Sequence, residues 1–98
     1  MLRRVYCHAA VASGKVLRNV VAEWDDACPS GLVFHPFTME TPATEALNGA
    51  IVALPGDCLL REEDCRLDPY NFPESLENIR RRIPPDSPPV RILMLKFR

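Results

Sequence analysis

The groups in this 98-residue chain that could do chemistry are four cysteines and two histidines: Cys7, Cys28, Cys58, Cys65, His8 and His35. Thiol and imidazole together can hold zinc, or can pair as nucleophile and base. Structural zinc sites draw on close ligand pairs, typically with about two to four residues between them. Cys58 and Cys65 have six residues between them, and so do Cys28 and His35. A tetrad of Cys28, His35, Cys58 and Cys65 is therefore a metal candidate only if loops bring it together. Cys7 and His8 are adjacent, so a strand would turn them to opposite faces and they cannot form a dyad. Cys58 could meet His35 in space, with Glu40 or Asp57 orienting the imidazole. The enzyme these residues would make is a small thiol- or metal-dependent one using Cys58, Cys65 and His35. The plainer alternative is that the cysteines are small apolar core fillers and that His35, in "VFHPF", is bonded locally at a strand end.

Acidic and basic clusters have equally plain readings. Glu62, Glu63 and Asp64 crowd one turn and Asp25 and Asp26 another, without the spaced pattern of a calcium loop. They read as solvated loops. Arg80, Arg81 and Arg82 splay around a helix and suit its C-terminus, where the dipole favours cations. Twelve basic against thirteen acidic side chains leave a net charge of −1, which argues against a dedicated nucleic-acid binder. The four glycines are too scattered for a phosphate-binding loop, and no cofactor is implied. No apolar run nears the roughly 20 residues that span a bilayer. The opening "MLRRVYCHAAVASGK" reads as an amphipathic strand rather than an export signal, so a cytoplasmic protein with reduced thiols is expected.

The elements that must position these groups are short. The length fits a single domain, 1–98. "RVYCHAAVA" (4–12) alternates: Val5, Cys7, Ala9 and Val11 should share one face, and Tyr6, His8 and Ala10 the other. "VLRNVVAEW" (16–24) should return as its hairpin partner, with Val16, Arg18, Val20, Ala22 and Trp24 on one face. "DDACPSG" (25–31) reads as a loop and "LVFHPF" (32–37) as a strand, with Pro36 at an edge or an end. "TPATEALNG" (41–49) carries the signature of a short helix, followed by a strand over "AIVAL" (50–54) that stops at Pro55-Gly56. A short strand is expected around Cys58 to Arg61. "NFPESLENIRRRI" (71–83) predicts the longer helix, with Asn71 and Glu74 at capping-box spacing and Phe72, Leu76, Ile79 and Ile83 on one face. "VRILMLKFR" (90–98) is a last strand, apolar on both faces. It should be central in a sheet or buried by a partner chain. The fold class expected is α+β: a small, mostly antiparallel sheet or partial sandwich with one short and one longer helix.

Residues 3–56 resemble the N-terminal β segment of metal-dependent amidohydrolases. The resemblance rests on the hairpin "RVYCHAAVASGKVLRNVVAEWD", a third strand, and "GAIVALPG" as the strand that ends in Pro-Gly. It implies a small sandwich of the kind that accompanies a (β/α) barrel whose first strand carries a His-x-His metal pair. Here "PGDCLLREEDC" follows the turn without such a pair, and both histidines lie upstream. The functional expectation is a non-enzymatic binding or assembly domain. Trp24, Phe34, Phe37 and Tyr70 are the aromatics expected to line its surface. The apolar C-terminal strand is its pairing edge for a homo-oligomer, unless Arg91, Lys96 and Arg98 blunt that edge.

Overall fold

In the computed structural model, residues 1–37, 45–56, 58–85 and 88–97 are described. Strands β1 (Leu2–Ala12), β2 (Lys15–Asp25) and β3 (Cys28–Pro36) form an antiparallel meander. Strand β4 (Glu45–Pro55) then pairs parallel with β1, and β5 (Pro89–Lys96) pairs antiparallel with β4. The sheet order is β3-β2-β1-β4-β5. A short 3₁₀ turn (Glu62–Asp64) and helix α1 (Phe72–Arg81) lie between β4 and β5. The class is α+β, but the sheet is mixed rather than antiparallel. It curls, so that β3 and β5, its two edge strands, approach each other.

Local chemistry explains the elements that match expectation. The β1–β2 hairpin closes through Ser13-Gly14, both at positive φ (51° and 74°), the two-residue turn whose twist matches the strands. Helix α1 buries Phe72, Leu76, Ile79 and, just beyond its end, Ile83. Arg80 grips Glu77 at 2.7–3.1 Å, and Arg82 donates to the Asp64 carbonyl at 2.9 Å. Pro36 is the last residue of an edge strand.

Other expectations are corrected. Within the span read as a short helix, residues 45–49 are the first part of β4, and 41–44 lie outside the described residues. Glu45 pairs with Val5, and its carboxylate takes Arg3 Nη2 at 2.7 Å, so long-range pairing overrides the local helix signal. The 25–31 loop shrinks to a turn at Asp26-Ala27, because an edge strand tolerates Pro29. Residues 58–61 form no strand. Asn71 and Glu74 bond each other's side chains, and Asn71 makes no side-chain bond to the helix backbone. Strand β5 is an edge, not central. Its two apolar faces reflect two cores: Ile92 and Met94 pack on an inner cluster, Leu93, Leu95 and Phe97 on the layer beneath α1.

The alternation of β1 and β2 reverses partway along each strand. Val5, Cys7 and Ala10 join the inner cluster, whereas Ala9 and Val11 join the helix-side cluster. On β2, Val20, Ala22 and Trp24 point inward together with Leu17, while Val16 packs under α1. The reversal falls at His8 and Asn19, between the Cys7–Val20 and Ala9–Arg18 pairs. Asn19 has φ 52°, a left-handed conformation that asparagine tolerates. On the neighbouring strand the register slips by one residue at Asn48-Gly49, where Cys7 faces Leu47 but Ala9 faces Ala50. Bulges of this kind bend and twist a sheet, and here three strands yield along one line. Below the line, one face of the sheet covers the inner core. Above it, the opposite face meets the helix.

Candidate functional site

The thiols do not converge with an imidazole. Cys7 is enclosed in the inner cluster, where its Sγ donates to the Val20 carbonyl at 3.6 Å and burial pushes the thiol up to about 11. Cys58 and Cys65 lie together in the cluster under α1, and burial also raises the Cys65 thiol, against the pull of Arg82. Cys28 is exposed on β3, 3.2 Å from Ser30 Oγ. His35 stands on β3 with Nε2 3.2 Å from Glu23 Oε2, the same oxygen that accepts Arg4 Nε at 3.1 Å. The tetrad Cys28, His35, Cys58 and Cys65 is thus divided between β3 and the segment packed under the helix. Among the described residues no group of three or more such side chains could hold a metal ion. Glu40 and Asp57 lie outside the described residues.

A thiolate, not a thiol, is the reactive form, so burial predicts unequal cysteines. With a disulfide reagent at neutral pH, one equivalent, Cys28, should react within seconds to minutes. The other three should wait for opening of the fold. A thiol-release time course on the folded protein checks this, and Cys28→Ser should remove the fast phase.

The acidic clusters are occupied locally. Asp64 Oδ2 accepts the Arg61 amide at 3.1 Å, and Arg61 also reaches Glu63 at 3.6 Å. The Asp25 carboxylate accepts the Ala27 amide at 2.9 Å, which holds it below the usual range.

The expected aromatic surface divides. Trp24 is buried in the inner core, under the Arg3 guanidinium, and Phe34 is half-buried there. Phe37 and Tyr70 are exposed. Sequence reading missed a row of rings crossing the bend line: Phe37 meets Tyr6 at 4.4 Å, Tyr6 meets His8 at 5.7 Å, His8 meets Phe97 at 5.9 Å, and Phe97 meets Phe72 at 4.8 Å. Tilted pairs at these distances are mutually stabilising, and the row extends the helix-side packing along the sheet. Strand alternation had put Tyr6 and His8 on one face, which was the available signal. Their link to Phe97 depends on sheet order.

What stays open is the seam between β3 and β5. Among the described residues, β5 is laddered by β4 alone. Along the seam, Leu32, Phe34, Ile92 and Met94 of the inner cluster are only half-buried. Val33 and Val90 are exposed on the two edge strands. Arg91 turns its guanidinium away to the carbonyls of Cys58 and Leu60, so it does not guard the edge. At one end of the seam, beside the β1–β2 turn, is a cavity of about 280 Å³. Among the described residues, the seam offers edge backbone groups and apolar surface. No helix among the described residues is long and apolar enough to cross a membrane. Set against known protein families, curated proteins and solved structures, the chain matches none of them.

Proposed function

We propose that the chain is a non-catalytic binding and assembly module that joins a second copy of itself along β5. The single observation that carries this reading is the half-used state of that strand. Among the described residues it has a ladder partner on one side only, it is apolar on both faces, and it exposes 55% of Val90. Unpaired edges recruit strands. Of the basic residues that would blunt this one, Arg91 is engaged with the carbonyls of Cys58 and Leu60. The same reading takes residues 3–56 as a β segment of the amidohydrolase kind. The order of hairpin, third strand, and a strand ending at Pro55 supports it.

Sedimentation velocity tests the assembly. The expected mass is twice the 11.0 kDa of one chain at micromolar concentration. Val90→Lys should return the monomer with unchanged circular dichroism, because the side chain is already exposed. A wild-type monomer at every concentration would refute the reading, and so would a Val90→Lys dimer.

A further inference from the structure

Toward one end of the seam the inner core buries Trp24 and Val5, beside a cavity of about 230 Å³ that Arg3, Trp24, Ile92 and Met94 line. Toward the β1–β2 turn the core is unsealed. There Leu17, Leu32 and Phe34, all half-buried, line the 280 Å³ cavity with Ala12 and Pro89. Lys15, the first residue of β2, stands at its rim with Ser13 and Ser30, all three exposed. Lys15 makes no hydrogen bond or ion pair among the described residues. A half-buried apolar lining with an ammonium at its mouth that no described residue pairs is an amphipathic arrangement. It matches a molecule with an apolar body and a single anionic head.

We propose that this cavity is a binding site for a small aliphatic carboxylate, with the chain against Leu17, Leu32 and Phe34 and the carboxylate on Lys15. Two features limit the ligand. The volume lies just under the roughly 300 Å³ at which drug-sized pockets begin, so the aliphatic body is short. One ammonium complements one carboxylate and leaves the second charge of a phosphate monoester unpaired. The hydroxyls of Ser13 and Ser30 supply further donors for the carboxylate oxygens. The opening exists because β3 and β5 approach without pairing. A second copy laddered along β5 would lie against this same seam, so the titration is run on the Val90→Lys monomer as well as on the wild type.

Titration of the full chain with octanoate, followed residue by residue in an amide ¹H–¹⁵N spectrum, tests the site. Saturable one-to-one binding is expected, with shifts concentrated at Leu17, Leu32, Phe34 and Lys15. Lys15→Glu replaces attraction by repulsion at a rim position and should weaken binding about tenfold or more, while its own spectrum stays dispersed. Octan-1-ol, of the same length without the charge, should bind more weakly than octanoate. Three results would overturn the site: no saturable shifts at these residues, equal affinity of octanoate for Lys15→Glu and wild type, or equal affinity of octan-1-ol and octanoate for wild type. Sedimentation of the same samples keeps the two ideas apart, since a wild-type monomer that binds octanoate refutes assembly and leaves the site standing.

Discussion

Replacing Gly49 by alanine is expected to unfold the domain or nearly so. A Cβ at this position would lie 1.8 Å from the Leu95 carbonyl oxygen, and within 3 Å of two more backbone atoms of β5. No rotamer change relieves a collision with backbone. Either the β4–β5 ladder separates or the bulge at Asn48-Gly49 unwinds, and the Phe97–Asn48 backbone bond at 3.0 Å is lost with it. Overpacking in a well-packed core costs roughly 1–3 kcal/mol and sometimes more; forced onto backbone, the cost belongs at or above the top of that range. For a domain of this size about 3 kcal/mol lowers Tm by roughly 12–24 °C. Gly31→Ala is the control: its nearest neighbour would be the Cys28 carbonyl oxygen at 3.7 Å, an ordinary contact, so its Tm should stay within a few degrees. Thermal melts by circular dichroism compare the two. A Gly49→Ala protein that melts with wild type would mean that β4 and β5 do not meet in this register.

Ile51→Asp should leave no folded protein at room temperature. Ile51 is 0% exposed at the centre of β4, between Ala10 on β1 and Met94 on β5, and it faces the inner cluster. Among the described residues no buried side chain is polar or charged, so a carboxylate there meets no partner. The cost of burying it, several kcal/mol even after protonation, is comparable with the whole stability of a small domain, about 5–15 kcal/mol. The single tryptophan reports on the event, since Trp24 lies in the same cluster and is 3% exposed. Its fluorescence should shift to the red in Ile51→Asp and stay blue in Ile51→Val, which removes one methylene for about 0.5–1.5 kcal/mol. Aspartate at Ile92 should cost less, because that side chain is half-buried beside the seam. A folded Ile51→Asp protein with blue emission would show that the inner cluster is wetter than its packing implies.

The contrast between Ile51 and Ile92 shows what sequence could and could not settle here. Alternation marks Val90, Ile92 and Met94 as one apolar face and Leu93, Leu95 and Phe97 as the other, and both faces pack on a core except at Val90, which is exposed. Two buried faces suggest two flanking strands when read locally. The curl of the sheet supplies the alternative, one core on each side of an edge strand. For the candidate site the gap was wider. The four cysteines and two histidines could be counted and their neighbours named, but only the sheet order shows that Cys58 and Cys65 share the helix-side core while His35 sits by Glu23 on β3.

Taken alone, the sequence determined the short-range features: the β1–β2 hairpin, though its turn is Ser13-Gly14 and not the three residues Ser13 to Lys15 that the sequence suggests, the edge position of Pro36, the buried stripe of α1, and the end of β4 at Pro55. Each depends on a few neighbouring residues and on the backbone preferences of glycine, proline and apolar periodicity. The tertiary structure decided the rest. Asn19 in a left-handed conformation, opposite His8 and beside the bulge at Asn48-Gly49, reverses which residues face inward. The parallel pairing of β4 with β1 claims residues 45–49 from a helix. The curl brings β3 to β5 without joining them, and so opens the cavity at Lys15. These outcomes depend on pairings between residues 42 positions apart and more, such as Arg3 with Glu45 and Gly49 with Lys96, and no local pattern encodes which distant strand will supply the partner.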